Sequence, residues 1–359
     1  MKINAHGHLL PYPEDIPAFM REKEIFWVDE DRHYMHQGKW RRPITDPSFF
    51  LHEKLAWMDK HGIDHAVILN LSQLYCNGMH RELAHDAIRF QNDFNSRIQR
   101  EHPTRFTGGF VVSPACLDDA LAETERCVTE LGLELLCLPT HYQTYDGQWL
   151  SMADESVAPL WELADEYGLA VEIHPYDAPH MVNLADENWR FHLVWMLAQT
   201  ADTYHLFTLR DLPRRYPRVR TCFAHGNQFG QVNIGRRVQG FLGRPDLFQG
   251  AQHPETSLGA ANVFFDTLVH DVPAFRLLVE RQGVRQLVAG LDDPYPLGEM
   301  ENVPGCYPGR VITEAREQGI ITVEEEQLLW CENTLTWLAG DHPETLLTRL
   351  HLAGQPYPG

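Results

Sequence analysis

The chain of 359 residues can hold one large domain or two ordinary ones, and its 43% hydrophobic and 11% aromatic content is that of a globular protein. A formal charge of −20 argues against nucleic acid or acidic membrane surfaces as partners, so a small anionic substrate would need locally placed arginines. No apolar run approaches the roughly 18 to 20 residues that cross a bilayer. No membrane association is expected, and without an export-type leader the expected location is cytoplasmic.

Taken in chain order, the first strand-like run covers 2–8 and ends in His6-Gly7-His8. The stretch at about 10–47 then breaks the rhythm with five prolines and the apolar Phe26-Trp27-Val28, and reads as a small β insertion lying over the mouth of the fold. A helix is predicted over 50–61, a strand over 64–71, a helix over 82–101, a strand over 106–112, a helix over 117–131 and a strand over 133–138. A helix at 157–167 precedes a strand at 169–174; further strands follow at 219–225, 263–267 and 286–290, with a helix at 274–282. The segment from about 306 to 350 reads as helical and the Pro/Gly-rich tail from Gly354 as loosely ordered. Strands alternating with helices imply parallel βαβ units, and eight of them imply a closed (β/α)8 TIM barrel rather than an open sheet. One domain over 1–359, carrying the insertion and a C-terminal helical segment, is the economical organisation.

In such a barrel all C-terminal strand ends meet at one mouth, where barrel enzymes keep their catalytic groups. Four predicted strands end in groups of metal-ligand type: His6-Gly7-His8, Ile173-His174-Pro175, Ala224-His225-Gly226 and Gly290-Leu291-Asp292. Alternate residues of a strand share a face, so two imidazoles at HxH spacing can grip one ion. Among twenty histidines a single HxH is weak evidence. A strand-end histidine before Pro or Gly can equally satisfy loop backbone groups, and an aspartate can cap a turn. Repetition on four strands favours one divalent metal held by three histidines and one aspartate. These donors suit Zn(II), with Mn(II), Fe(II) and Co(II) as alternatives. Leu136-Cys137-Leu138-Pro139 closes the fourth strand without a lysine, so no carboxylated-lysine bridge between two metals is expected and the site should be mononuclear. The seven cysteines lack CxxC spacing and read as reduced thiols.

The sequence resembles the amidohydrolase superfamily, in its ACMSD-like branch (amidohydrolase-2) of aminocarboxymuconate semialdehyde decarboxylase and related aromatic-acid decarboxylases. The shared elements are His6-Gly7-His8 with Pro11 behind it, Arg42-Pro43, 58–64, Asn92-Asp93-Phe94, Ile173-His174-Pro175, Phe223-Ala224-His225-Gly226, Phe264-Phe265-Asp266, Asn333 and, most specific, the run 290–299. The resemblance implies that His6, His8, His174 and Asp292 bind the metal and that His225 is the catalytic acid/base, with Asp292 as a second proton carrier. It also implies that Arg42 and Arg236 hold substrate carboxylates, the second of which can come from a neighbouring subunit, which would make the active enzyme a homodimer. The chain departs from the pattern at Asn4, where an aspartate is common, at Leu291 and Asp293, and at 224–228, which lacks the usual glycine run. The expected activity is non-oxidative decarboxylation of an unsaturated or aromatic carboxylic acid. The alternative is a hydrolase or hydratase of a lactone, amide or unsaturated acid at the same site, because a shared fold does not fix the reaction.

Overall fold

A computed structural model describes residues 1–176, 187–340 and 344–350. Eight strands form one parallel sheet: β1 (Ile3–Gly7), β2 (His65–Ile68), β3 (Phe106–Val111), β4 (Leu135–Pro139), β5 (Ala170–His174), β6 (Arg220–Phe223), β7 (Val263–Asp266) and β8 (Leu287–Val288). Their order in the sheet is their order in the chain, as in a barrel wound from successive βα units. The seam between β1 and β8 is joined by Ala5 N donating to Ala289 O at 2.7 Å and Asp292 N donating to His6 O at 2.8 Å, and a parallel bridge links Gly7 with Asp293. All eight predicted strands are present.

The helices that sequence periodicity predicts are also found. They are α1 (Leu51–His61), α2 (Arg81–Glu101), α3 (Leu117–Arg126, continued by a wider turn over Cys127–Leu131), α4 (Ala158–Tyr167) and, later in the chain, Val272–Gln282. Helix α1 stops where Gly62 takes φ +63°, a conformation that L side chains adopt at a cost. Two further helices, α5 (Met196–Leu209) and α6 (Ile234–Gly243), have no counterpart in the sequence reading. Helix α5 buries Gln199, Thr200, Thr203 and Thr208 beside Tyr204 and Phe207, and this mixture hides the 3.6-residue apolar period.

The insertion after β1 folds as a short helix, Ala18–Glu22, and a three-stranded antiparallel sheet of Trp27–Val28, Tyr34–Gln37 and Trp40–Pro43. Its last strand carries Arg42. Beyond β8 come the helices Arg310–Glu317, Val323–Gln327 and Asn333–Ala339, and the last of these buries Trp337 completely. The predicted loose tail from Gly354 lies outside the described residues.

One irregularity in β1 matters for the site. Asn4 pairs with Ala66 and Gly7 with Ile68, so Ala5 and His6 together face the single residue Val67. Such a bulge breaks the strict in-and-out alternation and re-aims a side chain. His6 and His8 both turn into the barrel, where their rings meet.

Candidate metal centre and active site

Each candidate side chain on the barrel stands at or just beyond the C-terminal end of a strand. His6 and His8 end β1, His174 ends β5, His225 follows β6, Asp266 ends β7, and Asp292 lies four residues past β8. All are buried. One ligand atom from each of His6, His8, His174 and Asp292 can be chosen so that the four lie within 4.8 Å of one another. His6 Nε2 stands 3.2 Å from His8 Nε2, and Asp292 Oδ1 is 3.1 Å from His8 Nε2 and 3.5 Å from His6 Nε2. The His174 ring is 5.1 Å from that of His6 and 5.9 Å from that of His8, centre to centre. Its Nδ1 is hydrogen bonded to Pro175 O, which leaves Nε2 buried with no partner among the described residues.

Electrostatics favour a cation at this point. Burial alone would lower the His6 imidazole, but the Asp266 hydrogen bond and the charges of Asp292 and Asp266 outweigh it and push it up to about 9. Burial would raise Asp292, yet the hydrogen bond from His8 and the nearby imidazoles hold its carboxyl well below the usual range. Burial keeps His8 and His174 below the ordinary histidine value, so both present neutral lone pairs. Glu172, two residues before His174, is pushed well above the carboxylate range by burial. Two neutral imidazoles, a third in a strongly negative field and an ionised carboxylate, converging with an unpartnered Nε2, are a donor set that could hold a divalent metal.

Asp266 organises the centre from behind. It accepts from His6 Nδ1 at 2.7 Å, and from the backbone N–H groups of His225, Gly226 and Leu268 at 2.9, 3.0 and 3.1 Å. Its carboxylate holds the His6 ring by Nδ1 and anchors the loop that carries His225. In the sequence Asp266 stands out only as an acidic residue that closes the apolar run Phe264-Phe265. Gly290 makes this packing possible, since a Cβ there would stand 2.9 Å from His6 Cβ and 2.8 Å from Asp266 Cβ. Asp266→Asn should weaken metal binding by about 10- to 100-fold, read by competition with a chelator. Unchanged affinity would remove Asp266 from the centre.

His225 takes the left-handed conformation at φ +55°, with its Nε2 4.0 Å from Asp292 Oδ2 and its ring 4.9 Å from that of His174. Burial pushes the imidazole down to about 4, although Asp266 and Asp292 pull the other way. It is therefore neutral at neutral pH and can accept a proton. A cavity of about 330 Å³ opens onto His174, His225 and Asp292. Arg42 reaches this cavity from the insertion, its guanidinium 5.1 Å from the Tyr295 ring and 5.6 Å from that of Trp189. Leu268 and Leu297 add apolar surface, and His192 and His270 line the same space, neither of which was singled out from sequence. Arg236 is not brought here. It is exposed on α6 and lines a separate cavity of about 420 Å³ beside Arg237 and His205.

The profile of the amidohydrolase family matches residues 3–303. Over 334 residues the chain is 28% identical to 2-amino-3-carboxymuconate-6-semialdehyde decarboxylase of Dictyostelium discoideum, covering 90% of this chain and 88% of the relative. Among solved structures, 5-carboxyvanillate decarboxylase of Sphingomonas paucimobilis superposes with a TM-score of 0.71 at 21% identity, covering 94% of this chain and 98% of that one. A 5-carboxyvanillate decarboxylase of Novosphingobium aromaticivorans with bound manganese gives a TM-score of 0.73 at 17% identity, covering 94% and 96%. These two likenesses establish the shared fold. With a profile match that runs from the first barrel strand past the eighth, this chain belongs to the amidohydrolase family.

Proposed function

We propose that the chain is a metal-dependent, non-oxidative decarboxylase of an unsaturated or aromatic carboxylic acid, with one divalent ion held by His6, His8, His174 and Asp292. The observation that carries this reading is that the donor set converges and that two of its members, His174 and Asp292, line one cavity together with His225 and Arg42. Similarity over 90% of the chain to a decarboxylase supports it. Zinc is the ion of first choice; the manganese in a relative of the same fold makes Mn(II) the first alternative.

When bound, the ion supplies Lewis acidity at the substrate's oxygens. Arg42 pairs with a substrate carboxylate in charge-assisted hydrogen bonds and orients the breaking carbon–carbon bond. The carboxylate leaves as carbon dioxide, and the carbon it leaves takes up one proton. His225 and Asp292, 4.0 Å apart, are the groups placed to move that proton. A screen of small aromatic and muconate-like acids, followed by ultraviolet absorbance and carbon dioxide release, tests the reading. Bond cleavage with water uptake and no carbon dioxide would assign hydrolysis instead.

Arg42→Ala should chiefly raise KM, by roughly 10- to 100-fold, the worth of one charged hydrogen bond. Unaltered kinetics on the true substrate would place the carboxylate elsewhere. Arg236, exposed beside a surface cavity that the exposed Phe229 also lines, is assigned to the cavity of a second copy in a homodimer. Sizing in solution and mixing of Arg236→Ala with His225→Asn subunits test this. Activity regained on mixing supports the shared site, and a monomer of full activity overturns it.

A further inference from the structure

Behind the donor set lies a second buried polar group. Asn4, Lys54 and Asp293 have no exposure at all. Asn4 comes from β1, Lys54 from α1, and Asp293 from the loop after β8, directly following Asp292. Lys54 Nζ donates to Asp293 Oδ2, and to Asp293 O at 3.4 Å. Asn4 Nδ2 donates to Asp293 Oδ1, while Asn4 Oδ1 accepts from His6 N and from Leu291 N, each at 3.1 Å. His8 N donates to Asp293 O at 2.8 Å. The packing is tight, because a Cβ on Gly7 would stand 2.8 Å from Asp293 Oδ1.

Together these contacts tie the strand that carries His6 and His8 to the loop that carries Asp292, across the barrel seam. The group is also charge-balanced within itself, with one ammonium facing one carboxylate. Asn4 and Asp293 are two of the positions at which the sequence departs from the pattern of the family it resembles, and here they touch.

We propose that Asn4, Lys54 and Asp293 act as one positioning unit, which sets the distance between His6, His8 and Asp292 and thereby the affinity of the centre for its metal. This rests on the metal reading given under Proposed function. The hydrogen-bond directions dictate how variants behave. In Asp293→Asn the new amide oxygen can serve Lys54 or Asn4 Nδ2 but not both, and Lys54 loses its carboxylate in a dry site. In Asn4→Asp two carboxylates face each other before a single ammonium. In the double variant, which combines Asn4→Asp with Asp293→Asn, the bond between positions 4 and 293 reverses while Lys54 still donates to position 293. The amide introduced at position 293 then donates to the carboxylate introduced at position 4 and accepts from Lys54, and that carboxylate still accepts from His6 N and Leu291 N.

The test measures zinc(II) affinity by chelator competition, and the visible spectrum of the cobalt(II)-loaded protein, in the parent, both single variants and the double variant. Each single variant is expected to bind zinc about 10- to 100-fold more weakly and to shift the cobalt bands. The double variant is expected to return to within about threefold of the parent, a non-additivity that only coupled residues show. Parent affinity in Asp293→Asn overturns the proposal, and so does a double variant as weak as the singles combined. If a single variant fails to fold, the double decides: recovery of fold and metal supports the unit, and failure overturns it. A parent that binds neither ion overturns the metal reading itself, which separates the two claims.

Discussion

His174→Ala is expected to purify with far less metal than the parent and to lose affinity by more than the 10- to 100-fold, approximately, that outer-shell changes cost. His174 is the donor whose Nε2 has no partner among the described residues, and burial with three neighbouring imidazoles keeps it neutral. Its removal takes away one of the four converging donors. A methyl group also leaves space for water at the mouth, where His174 lines the cavity. Metal analysis of the two proteins, prepared side by side, checks this. Equal metal content would mean that the ion sits elsewhere or does not bind.

The second large effect concerns His225. Four protein donors already surround the proposed ion position, and a fifth would leave less room for substrate or water, so His225 is assigned to proton transfer. His225→Asn should keep its fold and close to normal metal content while kcat falls on the order of 10² to 10⁴. Because burial places the imidazole at about 4, its basic form is present across the neutral range. It follows that kcat/KM should not fall through a His225 ionisation between about pH 6 and 8, where an ordinary histidine near 6.5 would titrate. Loss of metal in the variant would make His225 a ligand. Retention of both metal and activity would move the proton-transfer role to Asp292.

Much of this was legible in the sequence because barrel geometry converts a linear pattern into a spatial one. Apolar runs that end in histidine or aspartate at 6, 8, 174, 225 and 292 need only a closed parallel sheet to meet at one mouth, and the eight strands meet in that way. The motif that singles out Arg42 lies on the last strand of the insertion, and that residue lines the cavity.

What escaped depends on contacts between distant residues. Asp266 reveals its task only through the distance from Oδ2 to His6 Nδ1, 260 residues away in sequence. Asn4 and Asp293 read as isolated departures from a pattern until Lys54, on a helix between them in the chain, is seen to join them. The β1 bulge is a one-residue register slip that composition does not encode. Helix α5 was missed because its buried face mixes threonines and a glutamine with aromatic rings. Arg236 matched by position, yet α6 turns it to the outer surface of its own chain.

The most direct test of the central claim follows a carboxyl-labelled aromatic or muconate-like acid through turnover by the zinc-loaded protein in heavy water. The expected result is one labelled carbon dioxide for each substrate consumed and one solvent deuterium on the product carbon, with both signals lost in His225→Asn and after chelation. A product that carries solvent oxygen, formed without labelled carbon dioxide, would contradict decarboxylation and make the chain a hydrolase.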